Sequence, residues 1–343
     1  MLRAALVGTG YWGPNLANAI ERTGKAVVTW LCDTNPKNLS SLARRYPHAR
    51  STTDVGDVLE DARVDAIFIA TPTATHYELG RQALAAGKHV LIEKPLTTRS
   101  REAAHLVELA REHDLALMVG HVFEYNAAIR LVDELIKSGE LGDIYYMSFE
   151  RTNLGPVRTD VSALWDLAAH DASIMCDFMT ASPHSVTAKG QSYLNAGIDD
   201  VVFATFVFDR GVAAHIHASW LNPSKLRQIT VVGSKKMVVC DDLDLRSPVR
   251  LYDKCVSLPP VSEITGSFLQ HKTLVVDSGA TIPVVQTSEP LLTEVEHFFD
   301  CIISARRPRS DGLSGLRVVR MMEAAAESIA RDSVVVSVHP EGV

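Results

Sequence analysis

A chain of 343 residues, 46% hydrophobic and 22% charged, has the makeup of an ordinary folded protein, and its length favours two domains over one. Its formal net charge of -7 argues against an extended surface for nucleic acid or acidic lipid, because such surfaces need an excess of Lys and Arg to displace counterions. A small-molecule partner is expected instead.

Up to residue 121, short β-branched runs alternate with helical patterns, the mark of a doubly wound parallel sheet with crossover helices. LRAALV, AVVTWLC, VDAIFIA, KHVLIE and LALMVG read as strands, nearly continuous in apolar residues as strands covered on both faces must be. ANAIER, NLSSLARRY, ELGRQALAAG and EAAHLVELAREH read as the helices between them. Past GHVFEYN the pattern changes. The helix AAIRLVDELIKSG leads to the strand IYYMSFERT, the helical stretch WDLAAHDASIM, and then DVVFATFVF, GVAAHIHASW, RQITVVG and KMVVCDD. Several of these are joined by short turns such as DRG and GSK, so the second region is α+β with a large, open, mainly antiparallel sheet. Two helical patterns, EPLLTEVEHFFDCIIS and SGLRVVRMMEAAAESIA, follow. The expected division is a dinucleotide-binding domain over 1–121 and a substrate-binding and oligomerisation domain over 122–343.

Gly8, Gly10 and Gly13 in GTGYWG directly follow the first strand and open a helix, and Asp33 ends the second strand twenty positions past Gly13. This spacing in this context is a dinucleotide fingerprint: glycines for a tight turn and close approach to pyrophosphate, an acid for the ribose hydroxyls. Tyr11 and Trp12 lie within the loop and are assigned to the cofactor with it. Asp33 would repel a 2′-phosphate, so NAD is expected, with NADP as the alternative. An ordinary strand-to-helix turn and a plain loop acid are the competing readings.

GTGYWG, TPTATH at 71–76 and above all EKPLT at 93–97 resemble the glucose-fructose oxidoreductase / inositol dehydrogenase (Gfo/Idh/MocA) family over nearly the whole chain. The resemblance implies hydride transfer at a secondary hydroxyl or ketone of a sugar or cyclitol. The chemistry of the residues agrees. Ligands of open α/β sheets bind at the carboxyl ends of strands, which is where Glu93 closes KHVLIE with Lys94 next and where Thr71 and Pro72 follow VDAIFIA. A lysine ammonium there can hydrogen-bond the reacting oxygen and stabilise developing charge. In the family the bond before Pro95 is often cis. His76 starts the next helix, either as part of the cofactor site or simply as a helix-terminal residue.

WDLAAHDASIM carries Asp166 and His170 four residues apart, a spacing that puts both on one face of an α-helix. The pair supplies an imidazole able to take the hydroxyl proton as hydride leaves, and a carboxylate to support it. The resembled family bears a D-x-x-x-H helix facing the nicotinamide. By that likeness His170 is the acid/base, Asp166 contacts or orients substrate, Lys94 acts at the same oxygen, and Asp171 orients or caps. On the residues alone, Asp166 as a helix-start acid and His170 as a core histidine stay open.

This sequence departs from many relatives in having SALWD, with Trp165, where a glycine pair precedes the Asp. In GHVFEYNAA, Phe123 and Glu124 occupy arginine positions and Ala127 a proline position. These stretches resemble a branch acting on nucleotide-linked or conjugated sugars. Tyr125, Asn153, Arg158 and Trp165 are the candidate substrate contacts. His215 and His217 share one sheet face without a third ligand at metal spacing, so no metal is expected, and the family resemblance implies subunit packing for that face. The five cysteines lack any CxxC pair and read as reduced, buried thiols. No apolar run is long enough to span a bilayer, and MLRAALVGTG lacks the features of a secretory leader, so a cytoplasmic location is expected, and the family resemblance implies a homodimer or homotetramer. The rival functions are an NAD-dependent glycosidase that oxidises its sugar transiently and a nicotinamide-binding regulator without turnover.

Overall fold

The structure is a computed structural model that describes residues 1–159, 161–257 and 274–338. By contacts the chain forms two compact units. Met1–Asn126 joins Ser288–Glu323, and Ala127–Thr287 joins the described residues after Glu323.

The first unit runs β1 (Leu2–Val7), α1 (Gly13–Arg22), β2 (Ala26–Cys32), α2 (Pro36–Ala43), β3 (Arg50–Thr52), α3 (Val55–Glu60), β4 (Ala66–Ile69), α4 (His76–Ala85), β5 (His89–Glu93), α5 (Ser100–Glu112) and β6 (Leu117–Gly120). Its six strands are all parallel, in the order β3-β2-β1-β4-β5-β6. Strand order reverses between β1 and β4, the switch point where such sheets open a crevice for ligand. Every residue of β4 and β6 is buried, as strands covered on both faces require. Pro14 in the first turn pre-sets the backbone of α1, which buries Leu16, Ala17, Ala19 and Ile20. The Asn35 side chain caps α2 by accepting from Lys37 N.

The division differs from the expected single boundary near residue 121, because the segment after Thr287 returns to the first unit. The helix Pro290–Ser304 buries Val295, Phe298 and Phe299 in the same core as Leu6, Leu16 and Phe68, with Phe298 edge-on to Phe68 at 5.4 Å. Lys25 pairs with Glu296 and Asp300, and Arg22 with Glu289. An apolar helical stripe in a sequence does not say which sheet it covers. β3 and α3 also escaped the reading: three exposed or half-exposed residues and a single helical turn and a half are too short to show a period.

The second unit comprises α6 (Ala127–Lys137), β7 (Ile144–Leu154), α7 (Ala169–Met179), β8 (Ser185–Gln191), β9 (Val201–Val207), β10 (Ala213–Ser219), β11 (Leu221–Gly233), β12 (Met237–Asp241), β13 (Val249–Ser257), β14 (Leu274–Thr281) and β15 (Val336–Ser337). They build a nine-stranded sheet, β14-β13-β12-β11-β7-β10-β9-β8-β15, antiparallel except for the β7–β10 pair. Period-2 alternation buries Met147, Phe149, Phe206, Ile216 and Val231 on one face. The other face carries Tyr146, Phe203, His215 and His217. Phe203 stacks on His217 with centroids 4.5 Å apart and on His215 at 6.4 Å.

Candidate active site

In the first unit the carboxyl ends of β1, β2, β4, β5 and β6 carry most of the residues singled out in the sequence. Gly8 has φ +96°, and a Cβ on it would stand 2.5 Å from the Ala70 carbonyl oxygen. A Cβ on Gly13 would lie 2.4 Å from the Gly8 oxygen. The turn itself therefore demands these two glycines. Gly10 is different. A Cβ there would meet only Asn38 Nδ2, at 3.9 Å, so the protein's own packing does not require glycine. The low profile at Gly10 and the positive end of the α1 dipole suit a pyrophosphate, and these residues fit a bound NAD. Tyr11 is 95% exposed on this loop and Trp12 is half-buried.

Asp33 does more than wait for a ribose. Its Oδ2 accepts from Thr9 N at 2.8 Å and Thr9 Oγ1 at 2.9 Å, and its Oδ1 accepts from Asn35 N at 2.8 Å. The carboxylate thus ties the glycine loop to the end of β2. A carboxylate has about four acceptor positions, so half-buried Asp33 retains capacity for a ligand hydroxyl.

Thr71 and Pro72 follow β4, and His76 at the start of α4 is 1% exposed. His76 Nδ1 lies 2.8 Å from the Pro95 carbonyl oxygen, and Nε2 lies 2.9 Å from that of Thr71. His76 therefore clamps TPTATH to EKPLT from beneath. Burial lowers its pKa, with the backbone contacts to Pro95, Thr71 and Leu96 pulling the other way. A neutral imidazole has one N–H, so it donates to one of these carbonyls at a time.

Glu93 ends β5 and Lys94 follows it, and the Lys94–Pro95 bond is cis. Lys94 N donates to Glu93 Oε2 at 3.3 Å. A Cβ on Gly120 would come within 3.0 Å of the Glu93 carboxyl, so the neighbouring strand leaves just enough room for it. Desolvation pushes the Glu93 pKa up to about 7 against the pull of Lys94 and Trp12. Directly after β6 comes His121, 1% exposed, with both ring nitrogens lacking a hydrogen-bond partner among the described residues. Burial, and then the positive charge of Lys94, push its pKa down to about 3. It is a neutral imidazole at working pH.

Sequence reasoning passed over His121 and Glu294 and saw Glu124 only as a departure at an arginine position. Glu124 is 1% exposed and Glu294, on the helix Pro290–Ser304, is 0% exposed. The signal available was a Glu amid an apolar helical stripe, which local pattern cannot tell from a helix-surface acid. Tyr125, a candidate substrate contact from the sequence, is buried. It belongs to the first unit and is 5% exposed, its hydroxyl 3.0 Å from Ser310 Oγ and its ring 5.4 Å from that of His297. Its side chain packs in the core of that unit.

In the second unit, WDLAAHDASIM is helical as expected but opens with a π-helical turn over Leu164–Ala168, followed by α7. Asp166 lies in the wide turn and His170 in the first turn of α7. Two donors hold the Asp166 carboxylate: Oδ1 accepts from Arg158 Nη1 at 3.0 Å and Oδ2 from Trp220 Nε1 at 3.3 Å. Arg158 and Asp166, assigned separately in the sequence, are thus brought together. Trp165 is half-buried in the same turn. Asn153 Nδ2 donates to the Gly155 carbonyl oxygen and shapes the loop after β7. Asp171 is buried, and its Oδ1 accepts from Arg151 Nε at 3.0 Å and Nη2 at 2.7 Å. Burial raises the Asp171 pKa while Arg151 pulls it down. The buried pair pins the start of α7 to β7, directly beside His170. Among the described residues, no group of three or more His, Cys, Asp or Glu is arranged to hold a metal ion, and no helix is long and apolar enough to cross a membrane.

Residues 2–121 match the family profile described as an oxidoreductase family with an NAD-binding Rossmann fold, and residues 129–239 match that of the GFO/IDH/MocA C-terminal domain. The chain is 26% identical over 319 residues to UDP-N-acetylglucosamine 3-dehydrogenase of Acidithiobacillus ferrooxidans, covering 93% of this chain and 94% of that one. A solved structure of that enzyme, GnnA, superposes with a TM-score of 0.81 at 25% identity, covering 96% of this chain and 98% of the other. A structure described as a putative oxidoreductase from Magnetospirillum magnetotacticum is 31% identical with a TM-score of 0.78, covering 94% and 99% of the two chains. At 22% identity, the WlbA dehydrogenase of Bordetella pertussis, solved with NADH and UDP-GlcNAcA, shares the fold with a TM-score of 0.79 over 100% of this chain and 99% of its own.

Proposed function

The chain belongs to the Gfo/Idh/MocA oxidoreductases and is an NAD-binding enzyme of that family, and we propose that its reaction moves hydride between NAD and a secondary hydroxyl or ketone of a nucleotide-linked sugar. The observation that carries this reading is the placement of Lys94, with Glu93 and His121, at the carboxyl ends of β5 and β6 beside the glycine loop that fits NAD. The likeness to a UDP-N-acetylglucosamine 3-dehydrogenase over 93% of the chain supports the sugar class.

NAD, when bound, supplies the hydride acceptor. The protein's share is proton handling and charge stabilisation. Lys94 donates a hydrogen bond to the reacting oxygen and stabilises the negative charge that grows there. His170 takes the hydroxyl proton in oxidation and returns it in reduction. Asp166, anchored to Arg158 and Trp220, orients the substrate near His170. Neutral His121 leaves the ammonium of Lys94 as the cation at the end of β5. The protein acts as a cytoplasmic homo-oligomer: its reduced cysteines suit that compartment, and the sheet face with Tyr146 and Phe203, 48% and 45% exposed, suits subunit packing.

The test is to incubate the purified protein with NAD and a panel of UDP- and dTDP-sugars and to follow nicotinamide absorbance. Turnover with a nucleotide sugar, lost in Lys94→Ala, is the expected result. Turnover confined to free cyclitols or small acids would refute the substrate class, and glycoside cleavage without net reduced cofactor would favour the glycosidase reading.

A further inference from the structure

We propose that His76 is a positioning residue that, with its ring proton on Nδ1, holds the Pro95 carbonyl and through it sets Lys94 for hydride transfer. The pairing of β4 with β5 ends at Ile69 and Ile92. Past that pair, the strand ends that carry Thr71 and Lys94 leave the ladder, and the His76 side chain ties them instead. Nδ1 lies 2.8 Å from the Pro95 oxygen and Nε2 lies 2.9 Å from the Thr71 oxygen. Thr71 in turn abuts the glycine loop, since a Cβ on Gly8 would stand 2.9 Å from Thr71 N. The ring therefore bridges the cofactor turn and the residue next to the lysine.

Both ring nitrogens face carbonyl oxygens, and a carbonyl oxygen only accepts. A neutral imidazole has one N–H to give, and burial of the side chain disfavours the charged form that would have two. The surroundings decide which carbonyl receives it. Pro95 is buried, and so is its contact with His76, whereas Thr71 is half-buried and its contact lies partly open. A carbonyl left unpaired in the interior costs more than one that water can reach. The proton therefore sits on Nδ1, and the Pro95 carbonyl is the one held. Pro95 follows Lys94 directly, so fixing that carbonyl fixes the backbone from which the lysine side chain reaches out. Misplacing a reacting geometry by about 1 Å can cost about a hundredfold in rate. His76 acts through Lys94 in this role and not on the reacting atoms themselves.

The inference rests on the role proposed for Lys94, and one of its two readouts needs no substrate. In a long-range proton–nitrogen correlation spectrum of the histidine-labelled full chain, the His76 ring, identified by its loss in either variant below, should show a protonated Nδ1 and a bare Nε2. The second readout separates kcat from cofactor affinity. An Asn side chain reaches about as far as Nδ1 and a Gln side chain about as far as Nε2. His76→Asn therefore keeps a donor at Pro95, and His76→Gln keeps one only at Thr71. With a nucleotide sugar that the wild type oxidises, His76→Gln should lower kcat at least about tenfold while the Kd for NADH, read by fluorescence, stays within about threefold. His76→Asn should recover most of that kcat. A proton on Nε2 overturns the proposal. So do Asn and Gln variants that lose kcat alike, a Gln variant that keeps it, or a fall in kcat matched by an equal fall in NADH affinity. A wild type that binds NADH but oxidises no sugar overturns the functional reading instead, and the ring-nitrogen spectrum still decides the tie to Pro95. If one variant fails to fold, the other and the spectrum decide the matter.

Discussion

Replacing Arg151 by Met tests whether the buried ion pair holds the start of α7 on β7. The Arg151 guanidinium makes two hydrogen bonds to one oxygen of Asp171, at 3.0 and 2.7 Å, with side-chain exposures of 7% and 2%. Removing one partner of so buried a pair leaves an uncompensated carboxylate and costs about 3–5 kcal/mol. The second change, Asp171→Asn in the same chain, removes the stranded charge and should restore a large part of that loss. The pH dependence has a definite sign. Burial already raises the Asp171 pKa above its unfolded value, and loss of Arg151 raises it further, so the folded variant favours the protonated acid. Its deficit relative to wild type is therefore smallest below the ordinary carboxylate pKa and grows as pH rises through the raised one. Urea melts of the three proteins at acid and neutral pH measure this, with a midpoint shift on the order of 1 M for Arg151→Met at neutral pH. A cost below about 1 kcal/mol, or a double variant no more stable than the single, would refute the reasoning.

Other substitutions probe the first unit. Gly8→Ala places a Cβ against Ala70 at a positive φ, and should cost about 1–3 kcal/mol of stability in a thermal melt as well as NAD binding. Gly10→Ala has open space around it and should leave the melt unchanged while weakening NAD binding at least about tenfold, read by fluorescence titration. Asp33→Ala removes three hydrogen bonds that brace the glycine loop, so NAD affinity should fall and discrimination against NADP should narrow in the same titration. Lys94→Ala should lower kcat by about 10²–10³ with NAD affinity nearly kept, since its charge acts on the reacting oxygen.

The parallel sheet was legible because each of its main strands is a short apolar run closed by a polar or glycine signal, and GTGYWG with Asp33 located the ligand edge of that sheet. What stayed hidden needed partners distant in sequence. Glu294 reads as one acid in EPLLTEVEHFFDCIIS, and only packing of Phe298 and Phe299 into the sheet core reveals that this acid is buried. His121 looks like a strand-end residue, yet its significance lies in the lysine it faces. β8, with its Lys, Gly and Gln, and β14, with its Asp and Gly, lack the alternation that betrayed β9 and β10. Burial of Tyr125 was not legible either: an aromatic just past a strand end resembles a pocket wall, and only the fold shows its hydroxyl beside Ser310.

The four-residue spacing of Asp166 and His170 shows where local periodicity stops being a guide to geometry. The inference that they share a face assumes 100° per residue, which holds for α7 but not for the π turn over Leu164–Ala168 that contains Asp166. A wider turn carries an extra residue, so the carboxylate is displaced from the stripe that α-helical spacing would give it. In that displaced position its two oxygens meet Arg158 and the indole N–H of Trp220. Single-turn π segments cost hydrogen-bond quality and occur frequently at functional sites. Here the turn frees Asp166 to fix the loop bearing Arg158, while the buried Arg151–Asp171 pair takes over the anchoring of His170's helix. The two carboxylates on either side of His170 thus have separate tasks, one holding the loop that bears Arg158 and one held in the core by Arg151, and the π turn is what sets the first apart from the second.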